Sequence, residues 1–305
     1  MITVRTRTTK EEETIPAEED KQKHTNNKKR WSLIGLAFLH YISLMNLSLE
    51  NKHAVICGST QGIGLATAII LAGLGATCVL VARNEDSLIK AVKELPIKHK
   101  QQHSYVVADF IDTISVEKAI NSIIAKQTIE ILVNNSGGPH PGPITAAKTS
   151  DFENAFTQHL ICNHILTNAV LPGMKASAYG RIINIISTSV KTPLPNLGVS
   201  NTIRAAVASW AKTLSNEVGQ YNITVNNVLP GLTNTMRYKK LIENTSALQN
   251  ITKEQVEESL INSIPMRRIG LAEEIGNMIA FLASPAASYI SGTNIPVDGG
   301  RTASL

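Results

Sequence analysis

The 305-residue chain is long enough for one large α/β domain or two small ones, and its 43% hydrophobic and 17% charged residues are typical of a soluble globular protein. The net charge of +5 is mild and aromatic residues make up only 4%, which argues against a nucleic-acid-binding surface. Three cysteines, Cys57, Cys78 and Cys162, lack the spacing of a metal site, and their odd number argues against a disulfide framework. We therefore expect buried, reduced thiols in a cytoplasmic protein.

The N-terminal part of the chain differs in composition from the rest. Residues 1–30 are polar and charged and have no apolar period, which predicts disorder. A short basic flank and the apolar run Trp31 to Leu44 follow, as in a signal sequence or an anchor. That run contains His40, is shorter than the ~20 residues that span a bilayer, and is followed by no cleavage-site pattern. We predict an N-terminal extension over residues 1–46 without membrane contact; a natural start at Met45 is the alternative.

From Lys52 onward, apolar strand patterns alternate with helix patterns. The strand patterns are HAVIC, TCVLVA, SYVVAD, EILVNN, RIINIIS and ITVNNV, and the helices between them include Phe152 to Lys175 and Asn201 to Gly219. Strands that are apolar on both faces and separated by helices indicate a parallel sheet covered on both sides. No repeat or linker interrupts this pattern. The sequence therefore predicts a single doubly wound Rossmann domain of the α/β class over residues 47–305.

A glycine-rich turn, CGSTQGIG, joins the first strand to the first helix. Gly58, Gly62 and Gly64 allow a tight turn and let the backbone approach a pyrophosphate at the N-terminus of that helix. The spacing is G-x-x-x-G-x-G rather than G-x-G-x-x-G, and a tight turn also needs glycine for structural reasons. Its position after the first strand of such a series predicts a dinucleotide-binding site.

The end of the second strand, VLVARN, carries the signal for cofactor choice. Arg83 lies where an NAD-selective site places an acidic residue for the ribose hydroxyls. Because arginine suits a 2′-phosphate, the sequence favours NADP(H) over NAD(H); a solvated charge at a helix start is the alternative. Asp109, at the end of the third strand, is placed to meet the adenine.

Four motifs occur in one order along the chain: the glycine-rich loop, NNSG at Asn134 to Gly137, PG at Pro230 and Gly231, and VDGG at Val297 to Gly300. Together they resemble the short-chain dehydrogenase/reductase family over about Leu47 to Thr302. The tail that begins IPMRRIGLAEEIG is similar to the branch named for 3-oxoacyl-[acyl-carrier-protein] reductases. The resemblance implies cofactor contacts from residues of the loop and the strand ends, namely Gly58, Ser59, Gly62, Ile63, Gly64, Arg83, Asp109, Asn135, Gly137, Pro230, Gly231 and Thr235.

The same resemblance implies an NADP(H)-dependent oxidoreductase that reduces a carbonyl, in a ketone or a 3-oxoacyl thioester, to an alcohol. It also implies a place in fatty acid biosynthesis and assembly as a homotetramer or homodimer through the two long helices. Ser136 stands where the family usually has alanine, a change we expect to be harmless. The segment Met236 to Ser263, which should shape the substrate pocket, is polar and shows no acyl-chain groove.

The catalytic residues of the family match this chain only in part. The family uses a strand-end Ser, a Tyr thirteen residues later as proton donor, a Lys four residues beyond it, and an Asn on the preceding long helix. By this spacing Ser187 keeps its identity. Ser200, Arg204 and His159 stand at the positions of the Tyr, the Lys and the Asn.

Such a site lacks the usual acid. Serine is not a useful acid near neutral pH, and arginine supplies charge and hydrogen bonds to the ribose without shuttling protons. We expect Ser187, Ser200, Arg204 and His159 to form the active site of a modified reductase, with His159 or His140 as replacement acid. Two alternatives remain: Ser200 or its neighbour Asn201 caps the helix, or the protein binds NADP(H) without catalysis, as a sensor or assembly partner.

Overall fold

Seven parallel strands, all within residues 45–304, form one sheet in the order β3-β2-β1-β4-β5-β6-β7. The structure is a computed structural model that describes residues 45–304, so the predictions made for residues 1–44 lie outside the described residues. The strands are β1 His53–Cys57, β2 Thr77–Ala82, β3 Ser104–Val107, β4 Ile131–Asn134, β5 Gly180–Ile185, β6 Ile223–Pro230 and β7 Asn294–Val297. This architecture confirms the predicted Rossmann-like α/β domain.

Helices cover both faces of the sheet. They are α1 Gly62–Gly73, α2 Glu85–Lys93, α3 Thr113–Ile124, α4 Thr149–Phe156, α5 Cys162–Ala176, α6 Gly198–Val218, α7 Met236–Gln249, α8 Lys253–Asn262 and α9 Ala272–Ala283. Neighbouring residues of β1 point to opposite faces: Ile56 packs in the core under α1, α2 and α9, and Val55 in the core under α3, α5 and α6. Burial on both faces explains why the strands are apolar without alternation.

The structure corrects three local predictions. The edge strand β7 was not predicted, because it is short and contains Pro296, which is tolerated at a sheet edge but weakens a strand pattern. The predicted long helix is divided by a π-helical segment, Thr157–Ile161, between α4 and α5. The predicted cap by Ser200 or Asn201 is wrong, since α6 begins at Gly198 and both residues lie inside its first turn.

The three cysteines are buried and form no disulfide, as expected. Burial raises the pKa of the Cys57 thiol to about 12 and that of Cys162 to about 11, so both remain protonated at neutral pH. Among the helices of residues 45–304, none is long and apolar enough to cross a membrane.

A ladder of asparagine side chains crosses the sheet at matching register positions. Asn134 donates to Asn184 at 2.8 Å, Asn184 donates to Asn227 at 2.9 Å, and Asn227 donates to Asn294 at 2.8 Å. The first three residues are almost completely buried. Each amide in the middle of the ladder is therefore both donor and acceptor, which fixes β4, β5, β6 and β7 in register.

We predict that Asn184→Ala lowers the free energy of unfolding by about 2–6 kcal/mol, because a buried group that loses its partner costs about 1–3 kcal/mol and two groups lose theirs. Urea denaturation followed by circular dichroism measures the change. Asn121→Ala, at an exposed position of α3, is the control and should stay within about 0.5 kcal/mol of the wild type. Equal stability of the two variants would contradict the structural role of the ladder.

Candidate active site

The carboxyl ends of β1 and β4 are held together by one amide. Asn135 follows β4, and its Nδ2 donates to the carbonyl oxygens of Cys57 at 3.2 Å and Gly58 at 3.1 Å. The chain leaves β1 and β4 toward opposite parts of the molecule, so the sheet order reverses at this point. Open α/β sheets bind ligands in the crevice outside such a reversal.

The glycine-rich loop forms one wall of this crevice. At two of its glycines there is no room for a side chain. Gly58 has φ +57°, and a Cβ there would lie 2.7 Å from the carbonyl oxygen of Asn135. A Cβ on Gly64 would collide with the carbonyl oxygen of Gly58. Gly62 faces the other wall, where a Cβ would lie 3.2 Å from Thr235 Cγ2. The loop thus runs between Asn135 and Thr235.

The residues of the loop fit a dinucleotide pyrophosphate. Ser59 is fully buried, and its Oγ has no hydrogen-bond partner among the described residues. Gln61, the residue that precedes α1, makes no capping hydrogen bond with its side chain, and the first turn of α1, which includes Ile63, has no acidic residue. Backbone N–H groups and a hydroxyl are therefore available to an anion at this helix terminus.

The other predicted cofactor residues lie along the same edge of the sheet. Arg83 follows β2 and is exposed, without an ion pair among residues 45–304. Asp109 follows β3 and accepts a hydrogen bond from the N–H of Ile111 at 3.1 Å. Gly137 follows β4, and Pro230 ends β6. Gly231 donates its N–H to the carbonyl of Val297 at 2.9 Å.

The predicted catalytic residues Ser187, which follows β5, and Ser200 and Arg204, on α6, lie on elements that a hydrogen bond joins at the carboxyl end of β5. Ser187 is half-buried, and its Oγ accepts a hydrogen bond from the N–H of Ser189 at 3.1 Å. Ser200 and Arg204 lie one turn apart on α6, with exposures of 6% and 8%. Arg204 Nη1 donates to the carbonyl of Ile185 at 2.8 Å, which ties α6 to β5 and leaves the guanidinium charge buried.

His159 lies in the π-helical segment and is 1% exposed. Its Nδ1 is 2.6 Å from Ser136 Oγ, whereas its Nε2 has no partner among the described residues. Burial, and then the charges of Arg204 and Arg237, lower the pKa of His159 to about 2. The imidazole is therefore neutral at physiological pH, so the imidazolium acid expected from an ordinary pKa near 6.5 is not present. π-Helical segments are frequent at functional sites.

We refer to Ser136, His159, Ser187, Ser200, Arg204 and Arg237 together as the cluster. Sequence reasoning missed two of them, Ser136 and Arg237. Ser136, expected to be harmless, is the hydrogen-bond partner of His159. Its signal was the coincidence of two departures from the family, a Ser for an Ala and a His for an Asn. Arg237, in the first turn of α7, lies with its guanidinium against Gly138. It gave no signal, because its helix is rich in charged residues.

The electrostatics of the cluster are dominated by arginine. Burial, and then the charge of Arg237, lower the pKa of Arg204 to about 10, so both guanidinium groups stay charged at neutral pH. Among the described residues, no carboxylate forms an ion pair with either of them. The other candidate acid, His140, is exposed on the loop after β4.

The chain matches a family model and several known reductases. Residues 58–302 match the family described as Enoyl-(Acyl carrier protein) reductase. The chain is 32% identical to the NADPH-dependent reductase BacG of Bacillus subtilis, over 84% of this chain and 100% of that protein. It is also 32% identical to the 3-oxoacyl-[acyl-carrier-protein] reductase FabG of Pseudomonas aeruginosa, over 83% of this chain and 98% of that protein.

A solved structure extends the likeness to three dimensions. L-Sorbose reductase from Gluconobacter frateurii, complexed with NADPH and L-sorbose, superposes with a TM-score of 0.81 at 32% identity. The match covers 86% of this chain and 100% of that one. With the motifs, the fold and these relatives in agreement, the chain belongs to the short-chain dehydrogenase/reductase family.

Proposed function

We propose that the protein is an NADPH-dependent reductase that converts a ketone carbonyl to an alcohol. One observation carries the proposal: a dinucleotide cradle and a buried polar cluster lie at the same edge of the sheet. The cradle has an unpartnered hydroxyl, Ser59 Oγ, and the cluster has an unpartnered ring nitrogen, His159 Nε2. Buried polar atoms without partners are rare in folded proteins, and ligand groups would satisfy both.

The choice of NADPH rests on Arg83. Its exposed guanidinium lies just beyond β2 with no acidic residue bound to it, where a 2′-phosphate can accept its hydrogen bonds. The relatives support the same cofactor, since BacG is an NADPH-dependent reductase and the sorbose reductase structure contains NADPH.

NADPH, when held by the loop and Arg83, would supply the hydride for the carbonyl carbon, and the residues of this chain would stabilise and protonate the oxygen. We assign the Ser187 and Ser200 hydroxyls as hydrogen-bond donors to that oxygen. Arg204 keeps its proton, so it contributes fixed positive charge near the site where negative charge develops, together with a hydrogen bond to the ribose. Preorganised donors of this kind are worth most where water is excluded.

His159 acts in its neutral form. When the Ser136 hydroxyl donates to Nδ1, the ring carries its proton on Nε2, and that N–H donates to the substrate oxygen. As the oxygen takes the Nε2 proton, Ser136 passes its own proton to Nδ1 and is reprotonated from water, because Ser136 is only half-buried. This relay replaces the Tyr and Lys of the family.

Three finer points stay predictions: a 3-oxoacyl thioester as the substrate, a role in fatty acid biosynthesis, and assembly as a homotetramer or homodimer through α4, α5 and α6. The same holds for a cytoplasmic location and for the boundary between the N-terminal extension, 1–46, and the catalytic domain.

Arg83→Ala should weaken NADPH binding about 10-fold or more and leave NADH binding nearly unchanged, because a hydrogen bond to a charged group contributes about 1.5–3 kcal/mol. Titration of NADPH and NADH by nucleotide fluorescence measures both constants. Lys90→Ala removes an exposed positive charge from α2 and serves as the matched control. Equal affinities of the wild type for the two nucleotides would contradict the role of Arg83.

His159→Ala should lower kcat by about 10²–10⁴, the usual contribution of a positioned proton-transfer group, with little change in NADPH affinity. Steady-state NADPH oxidation with a panel of ketones gives kcat. His140→Ala, an exposed histidine on the loop after β4, should retain wild-type turnover. If both variants keep full activity, His159 does not serve in the reaction.

Replacement of Ser200 by Tyr together with Arg204 by Lys separates a reductase from a non-catalytic nucleotide-binding protein. We expect measurable wild-type turnover that falls in the double variant, because Arg204, Ser200 and His159 work as one arrangement. NADPH oxidation with ketones and with a 3-oxoacyl thioester is the measurement. A wild type without turnover, combined with a large rise in the double variant, would identify a degraded site instead.

A further inference from the structure

The cluster around His159 carries positive charge without a counter-charge. Arg204 is buried, and a buried charge that lacks a partner is costly. Arg237 adds a second guanidinium close enough to lower the pKa of both His159 and Arg204. Since no acidic residue among those described pairs with either arginine, the site as it stands favours an anion.

Arg237 is positioned to reach that anion. It lies in the first turn of the polar helix α7, is exposed to solvent, and makes no hydrogen bond among the described residues. Its guanidinium lies against Gly138, so closely that a Cβ on Gly138 would lie 2.8 Å from Arg237 Cζ. His159, whose partner Ser136 lies two residues before Gly138, has a buried and unpartnered Nε2. A planar group with two acceptor oxygens fits the guanidinium fork.

The phosphates of the cofactor are assigned to residues outside this cluster. The 2′-phosphate is assigned to Arg83 at the end of β2, and β1 and β4 separate that strand from β5. The pyrophosphate is assigned to the N-terminus of α1 and to Ser59. The two arginines instead flank the ends of β4 and β5, on the side of Ser200 where the carbonyl substrate is expected.

We propose that Arg237, with Arg204 behind it, binds a carboxylate of the substrate, so that the natural substrate class is a keto acid. This inference rests on the proposed reductase function. It adds a specificity-determining residue, Arg237, that the family motifs do not contain. The carboxylate neutralises the cluster, and the ketone carbon of the same molecule is presented beside Ser200 and His159.

Matched pairs of a keto acid and its methyl ester test the proposal: benzoylformate, acetoacetate and 4-oxopentanoate, each against its ester, with NADPH. In the wild type we expect at least one acid to be reduced with a KM about 10–100-fold below that of its ester. Arg237→Met should raise that KM about 10–100-fold, the effect of losing a charge-assisted hydrogen bond, and leave the KM of the ester and NADPH affinity within about twofold. Lys239→Met, which removes an exposed charge from the same helix, is the matched control.

A second variant and a binding measurement keep the test independent of turnover. Gly138→Ala should displace the Arg237 guanidinium and reproduce the loss of selectivity for the acid. In thermal melts of the NADP⁺ complex, the preferred acid should raise Tm in the wild type but not in Arg237→Met.

The outcomes separate the two proposals. If an active wild type has equal KM values for acids and esters, the carboxylate site is overturned but the reductase function is not. Weaker NADPH binding by Arg237→Met overturns it in favour of a cofactor phosphate. Nucleotide binding without turnover of any probe overturns the reductase function, and the thermal melts then decide whether the carboxylate site exists.

Discussion

The hydrogen bonds of Asn135 are the constraint on which the site depends. One amide bridges the ends of β1 and β4, and Gly58 has no room for a Cβ because Asn135 occupies the space. If Asn135 moved, the loop would lose the wall that shapes it, and Ser136 would lose its position relative to His159. A single polar side chain at the reversal of the sheet thus couples the cofactor cradle to the proposed proton relay.

Below that edge, the asparagine ladder gives the sheet the rigidity that the site requires. Its members lie at successive register positions of β4, β5, β6 and β7, so any slip of one strand would leave buried amides unpaired. The residues of the cluster are carried by elements that leave these strands or pack on them. Their mutual positions are therefore set by the register of the sheet.

The sequence predicted the parts of the structure that follow from short-range patterns. The order of strands and helices, the glycine loop and the positions of Ser187, Ser200 and Arg204 all follow from apolar periods and motif spacing. The π-helical segment at His159 was not predicted, since one π turn adds a single residue to the helix and shifts its apolar period too little to stand out in a short segment. Arg237 was missed for a different reason: its contact with Gly138 joins residues that are far apart in the chain and share no motif. The low pKa of His159 arises only from burial and from two arginines brought in from other elements.

The residues that differ from the family pattern, Arg204, His159 and Ser136, can be explained together by one proposed mechanism. In a Tyr–Lys pair, the lysine lowers the pKa of the tyrosine phenol. An arginine at the position of the lysine has no such role beside a serine, because the serine hydroxyl does not titrate near neutral pH. Burial, and then fixed positive charge, keep the neighbouring imidazole of His159 neutral, and a neutral imidazole can donate from Nε2 if a hydroxyl donates to Nδ1. Ser136 provides that hydroxyl at 2.6 Å. In the proposed mechanism, positive charge comes from Arg204 and proton transfer from His159 and Ser136, whereas the Tyr–Lys pair of the family combines the two.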